Sequence, residues 1–417
     1  MNLITLPLRA SPGHLCIAAG ITLLASGAAW GQSSPYTIGA SETISHDSNV
    51  VRLPNDTTQV TQRPKAVTDW ITTTALFGGI DQPFGRQRAY GNLSVRDNNY
   101  RYNDYDNVAY GLATGLIWST IDRVSGTVRF NANRTLANFD RGNSAAPVVD
   151  KNIEQTQQFD ATVSVGGVTD VTFDGGYQHQ AQRFTAVGNR LTQDQVSLGA
   201  RHRLAGELTL GAGLRFTNGR YPDLDDSFHG RSLDLSADWV PSPISTLHSR
   251  VGVGKTDHSK ASAQDFSGVT GSLAWDWKPT AKIGVNTQIS RATGNDSSFA
   301  PVLENGQVVG AQADSSRLTS TLGLNTTYEA TAKIQLSAGY TLVSRRLTDS
   351  LSAAAAQSVT ASDRLTRFEF GARYVPTRTI ELSCNLGRDR RRADPSPLTY
   401  SYAANTVGCS GQISVNP

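Results

Sequence analysis

Apolar and polar residues alternate one by one along most of this chain. Val269, Gly271, Leu273, Trp275 and Trp277 fall on one parity, and Thr270, Ser272, Ala274 and Asp276 on the other. Ile334, Leu336, Ala338, Tyr340 and Leu342 alternate in the same way with Gln335, Ser337, Gly339 and Thr341. A period of two is the repeat of a β-strand, and one apolar face against one polar face suits a strand between two different solvents. The pattern predicts strands near 36–45, 67–80, 87–102, 107–120, 123–137, 153–167, 170–184, 191–204, 206–218, 230–240, 244–257, 265–278, 281–293, 315–329, 332–346, 363–375, 378–390 and 399–415. That makes 18 strands, or 16 if 36–45 or 67–80 stays out of the wall, since both parities of 67–80 carry apolar residues. No helical period competes; the run Ala353–Ala356 could form a short helix inside a loop.

The connections alternate in length. Tight ones, such as Gln82-Pro83-Phe84-Gly85, Ala205-Gly206, Pro241-Ser242-Pro243, Pro279-Thr280-Ala281 and Pro376-Thr377, alternate with longer polar ones at 46–66, 138–152, 219–229, 294–314, 347–362 and 391–398. Short turns on one side and long loops on the other are the arrangement of an outer-membrane barrel with its short side in the periplasm. The fold class is therefore all-β: a transmembrane, antiparallel, up-and-down β-barrel. At the short-turn ends stand Trp118, Trp239, Trp277, Tyr328 and Tyr374. Each is on the apolar parity, where an interfacial aromatic girdle belongs.

Composition fits that architecture. Hydrophobic residues make up only 38% of the chain and Gly is abundant at 38 residues, as expected when one face of every strand is wet. Residues 1–31 read as a secretory signal peptide: Arg9, an apolar stretch from Leu15 to Ala28, then Ala29-Trp30-Gly31. Residues 32–417 form one barrel domain with no transmembrane helix, exported to the outer membrane of a Gram-negative bacterium. A net charge of +3 is not a nucleic-acid-binding balance.

With the apolar face toward lipid, parity turns Arg96, Arg129, Arg201, Arg215, Arg250, Arg317, Arg367 and Arg373 into the lumen, together with Asp234, Asp276 and Glu369. Guanidinium forks bind carboxylate or phosphate bidentately, so these arginines either contact a passing anionic polymer or pair with the lumen acids and hold the barrel's shape. Asn98, Asn99, Tyr100, Tyr102, Asn103, Tyr105 and Asn107 offer the stacking faces and amides of a carbohydrate contact. The run Arg388-Asp389-Arg390-Arg391-Arg392 could hold lipopolysaccharide phosphates or an acidic glycan, or be a solvated loop. Cys384 and Cys409 are symmetric about a turn within Pro395-Ser396-Pro397, which places them opposite one another and predicts a disulfide. No Ser, His and acid spacing and no metal motif is present, so neither an enzyme nor a cofactor is expected.

Three patches carry a family resemblance: Glu42 to Pro54, Gln82 to Arg88, and Ala404 to Gln412. They resemble the EpsL family of outer-membrane barrels associated with exopolysaccharide biosynthesis. The resemblance implies a role in making or exporting an extracellular polysaccharide, and the polar lumen makes a passive conduit for polymer export the first reading. Its partners would be outer-membrane lipid and lipopolysaccharide, extracellular polysaccharide, and periplasmic or inner-membrane synthesis machinery. The alternatives are a general or solute-specific porin and a surface structural or adhesin barrel.

Overall fold

A computed structural model describes residues 34–54, 64–121, 123–140, 147, 149–166, 170–186, 190–205, 207–259, 265–293, 317–350, 358–394, 396 and 398–416. The expected signal peptide, the alanine run at 353–356 and the loop at 294–314 lie outside these residues. Eighteen strands form one closed antiparallel sheet. They are β1 (Tyr36–Asp47), β2 (Asp69–Phe84), β3 (Gln87–Tyr100), β4 (Asn107–Ser119), β5 (Val124–Leu136), β6 (Ile153–Val165), β7 (Val171–Phe184), β8 (Leu191–Ala205), β9 (Leu208–Tyr221), β10 (Asp226–Ser242), β11 (Ser245–His258), β12 (Phe266–Thr280), β13 (Ile283–Thr293), β14 (Arg317–Glu329), β15 (Ile334–Ser350), β16 (Ser358–Tyr374), β17 (Ile380–Ala393) and β18 (Tyr402–Val415). Each pairs with its sequence neighbours, and β1 pairs with both β2 and β18, from Ile38–Val415 to Asp47–Thr406. That last ladder removes the free edges an open sheet would expose.

β1 and β2 both belong to the wall, so the count is 18 and not 16. The mixed parity of β2 has a local cause. Phe77 turns inward over Gly39, where an added Cβ would fall 2.2 Å from the ring. The glycine leaves room for a ring on the wet face, and the apolar pattern doubles there.

The other face is a continuous apolar band. Leu198, Leu214, Leu235, Val253, Val269, Phe370 and Leu386 are all about half exposed or more. A protein in water would bury such residues, whereas a barrel presents them to acyl chains. Trp239, Trp277, Tyr328 and Tyr374 stand outward at the short-turn ends, with Trp118 packed over the bare backbone of Gly126. Trp275 stacks on Trp277 with ring centroids 5.5 Å apart. The described residues hold no long apolar helix, and the chain crosses the membrane with strands. It is an outer-membrane β-barrel of the Gram-negative type.

Candidate functional site

The barrel interior is polar, and among the described residues its side chains are most densely interconnected at the loop-side mouth. There Asn49 closes a tight turn after β1, accepting from the Leu53 amide at 2.7 Å and donating to the carbonyls of Leu53 and Ala403 at 3.0 Å. The turn presents Val50, Val51 and Leu53 to Tyr105 and Phe139 from the next two loops, making a small buried apolar cluster. Tyr105 packs against Phe139 with the rings tilted and their centroids 4.7 Å apart, and donates its hydroxyl to the Val149 carbonyl at 2.9 Å. Its burial, with nearby Asp150, Asp104 and Asp69, pushes that hydroxyl up to about 12. Asp69, fully buried at the start of β2, accepts from the amides of Arg101, Tyr102 and Asn103 and from the Asn103 side chain at 2.8–3.0 Å. Three loops thus pack on one another and not on solvent.

From this cap, charged side chains reach to the wall of β15–β18. Asp140, in the loop after β5, pairs with Arg391 on β17 and accepts from the Tyr402 hydroxyl at 3.1 Å. The Arg391 guanidinium also lies over the Tyr402 ring, 4.8 Å from its centroid. Burial alone would raise the Asp140 carboxyl, but Arg391, Arg345, Arg52 and the Tyr402 bond together bring it down to about 2. Arg52, in the left-handed region at φ 58°, meets Asp47 at 2.7 Å and Asp389 at 3.7 Å. Asp389 in turn accepts a bidentate pair from Arg367 at 2.7 and 3.0 Å. Arg345 binds Asp363, which also takes the Thr399 hydroxyl at 2.6 Å. Four arginines meet four aspartates, so the mouth latch is neutral within itself. Asp140 comes from β5, six strands away from β17 around the barrel, so the latch spans a third of the wall.

Deeper in the lumen, Asp234 on β10 bridges Arg215 of β9, at 3.1 Å, and Arg250 of β11. Gly252 is the floor under this carboxylate: a Cβ there would lie 2.5 Å from Asp234 Oδ1. Arg201 binds Asp174 with two bonds of 2.6 Å, and Arg373 binds Glu381 at 2.7 Å. Asp276 accepts from Asn286 at 2.7 Å, and Glu369 is 4.0 Å from Arg367. Arg96 and Arg129 face the lumen without an ion pair among the described residues. Arg317 opens β14. Of the arginines singled out from the sequence, five are tied to acids on neighbouring strands.

Of the Tyr and Asn residues read as a carbohydrate contact, Asn99 and Tyr102 are exposed, and Asn103, Tyr105 and Asn107 are not. Tyr105 and Asn103 are buried, and Asn107 donates to the Tyr105 carbonyl, so these groups hold the loop together and do not present themselves to solvent. Sequence reading passed over Arg52, Asp140, Arg345 and Asp363, and took Asp389 and Arg391 only as part of one outer charge run, not as inward-facing partners of Arg367 and Asp140. For β17 the signal was available: strict parity splits the charge run, sending Asp389 and Arg391 inward and Arg388, Arg390 and Arg392 outward. Cys384 and Cys409 are bonded across the last hairpin, with Cα atoms 4.1 Å apart. His179, His248 and His258 each meet an aspartate, as His248 does Asp238 at 2.7 Å. Among the described residues no group of three or more His, Cys, Asp or Glu gathers around a metal-sized space.

No family model matches the chain, and no curated protein does either. Similar solved structures include Pseudomonas aeruginosa OccK10 (OpdN), 12% identical over 92% of this chain and 99% of that one, with a TM-score of 0.44. Pseudomonas aeruginosa OccK2 (OpdF) is 12% identical over 93% and 100%, at 0.47. Acinetobacter baumannii OccAB3 is 10% identical over 91% and 99%, at 0.46. The resemblance to the EpsL family does not stand: no family model supports it, and the solved structures the chain resembles are of another kind. The patches that carried it lie on β1 and the turn after it (42–54), the β2–β3 turn (82–88) and β18 (404–412). Identities this low leave the barrel assignment resting on the strands themselves.

Proposed function

We propose that the protein is a passive porin-like channel for small hydrophilic solutes. The observation that carries this reading is the mouth latch. A wide lumen serves a polymer best when unobstructed, whereas here three loops fold together and are tied by Asp140 and Arg52 to the β17–β18 wall. Below the latch, paired arginines and carboxylates line the wall in bands, offering passing solutes weak, reversible polar contacts. Conduction needs contacts weak enough to release what they bind.

The test is swelling of liposomes containing the refolded barrel, with single-channel conductance recorded alongside. Monosaccharides, disaccharides and amino acids are expected to enter, and a long dextran to be excluded. Free passage of dextran would favour a polymer conduit. Absence of both swelling and conductance steps would leave a closed surface barrel.

A further inference from the structure

The lipid-facing side of β16 and β17 carries a feature the channel reading does not use. Arg364, Arg388, Arg390 and Arg392 all point outward and are exposed. They rim a groove of about 720 Å³ whose floor is Phe368, Phe370 and Leu386. None of the four has an ion pair or hydrogen bond among the described residues. Register makes this costly, because Arg364 lies directly opposite Arg392, with Arg388 opposite Phe368 and Arg390 opposite Thr366. Like charges directly opposite on neighbouring strands are destabilising. Arg346 adds a fifth outward guanidinium on β15, opposite Ser362. The nearby acid, Asp394, is engaged by the Ser362 hydroxyl at 2.7 Å.

Depth identifies the occupant. Tyr374, in the aromatic girdle, faces Leu382. Arg390 stands further along β17 by about 27 Å of strand, or about 20 Å of height at the usual tilt. An apolar band is about 25 Å tall, so the guanidiniums sit at its far rim, at the headgroups of the outer leaflet. Below them the aromatic floor continues into Tyr340, whose ring lies 4.9 Å from Phe368.

We infer that this groove binds the phosphorylated glycolipid of the outer leaflet, lipopolysaccharide. The sugar phosphates would take the arginine forks and the acyl chains would lie on Phe368, Phe370 and Leu386. Guanidinium forks match phosphate geometry bidentately, and an anion between Arg364 and Arg392 turns their repulsion into a shared attraction. The site lies outside the lumen and does not depend on what the channel conducts.

The test compares the full barrel with a variant carrying Arg364→Gln, Arg388→Gln, Arg390→Gln and Arg392→Gln. Both are mixed in detergent with bisphosphorylated lipid A, dephosphorylated lipid A, phosphatidylglycerol or inorganic phosphate, and retained ligand is read by native mass spectrometry. The wild type is expected to retain bisphosphorylated lipid A about tenfold or more better than the variant and than the other three probes. In lipid-free detergent the variant's unfolding midpoint should be unchanged or higher, because the like-charge contacts are gone. Bisphosphorylated lipid A should raise the midpoint of the wild type only. Equal retention by both proteins, or equal retention of dephosphorylated lipid A, overturns the inference. Equal retention of phosphatidylglycerol or phosphate replaces it with unspecific anion attraction. If the fourfold variant does not refold, Arg364→Gln with Arg390→Gln serves in its place. The corresponding Lys substitutions, which keep charge and remove the fork, should fall between the two.

Discussion

Asp140 shows how one side chain can fix a loop across a third of a barrel. Its carboxylate is buried between Arg391 and Tyr402, and the surrounding guanidiniums overcome the burial penalty to hold it down to about 2. A free aspartate titrates near about 3.9. A carboxyl depressed in the folded state contributes stability that is fully present above about pH 4 and is lost as pH falls through about 2. Channel recordings should therefore be steady from pH 7 to about pH 4 and become noisy toward pH 2. Asp140→Asn should bring the same noise to neutral pH. A variant as quiet as the wild type would mean that the loop is held by its apolar contacts alone. Asp69 does comparable work for the neighbouring loop. It accepts four bonds in a fully buried position, so Asp69→Ala should cost about 2–4 kcal/mol by leaving three amides and the Asn103 side chain without that partner. Hydrogen exchange at Arg101, Tyr102 and Asn103 should rise far more than at mid-strand amides.

The last hairpin illustrates what an element adds beyond its residues. Cys384 and Cys409 are 25 residues apart and directly opposite in register, on the lipid face. Cross-linking a loop of that length removes chain entropy from the unfolded state equivalent to about 3.5 kcal/mol. Cys384→Ser with Cys409→Ser should lower the urea midpoint in vesicles accordingly, and the unreduced, unfolded chain freed of residues 1–31, and so of Cys16, should show no reactive thiol. These cysteines were readable from spacing because a hairpin is local and its register follows from the turn. Strand positions were readable for the same reason: the two faces of each strand meet different solvents, and sequence records that difference residue by residue. The latch was not. Nothing local in Asp140 indicates that its loop turns inward or that Arg391 lies six strands away. The charge run at 388–392 reads as a block until alternation divides it into lumen and lipid faces. Phe77 defeated the pattern because the space for it belongs to Gly39 on another strand.

At the scale of the whole molecule, the closed wall and the closed-over mouth have different physical origins and should come apart under mutation. The wall is held by eighteen strand ladders that leave no edge. The loops after β1, β3 and β5 are held over the mouth by an apolar cluster and a neutral set of four arginines and four aspartates, joined to the loops through Arg52 and Asp140. Removing one partner of a buried ion pair costs about 3–5 kcal/mol because the other charge is left unsatisfied. Arg52→Ala with Asp140→Ala therefore falls almost wholly on the mouth. The double variant should still migrate as a folded barrel on unheated gels, while its single-channel conductance rises and longer oligosaccharides begin to swell its liposomes. Arg215→Ala should act differently. It breaks the link to Asp234 in the lumen wall and should alter ion selectivity with little change in the size limit. If the double variant keeps the wild-type size limit, the tied loops lie off the permeation path and the constriction must be sought among the paired charges deeper in the lumen.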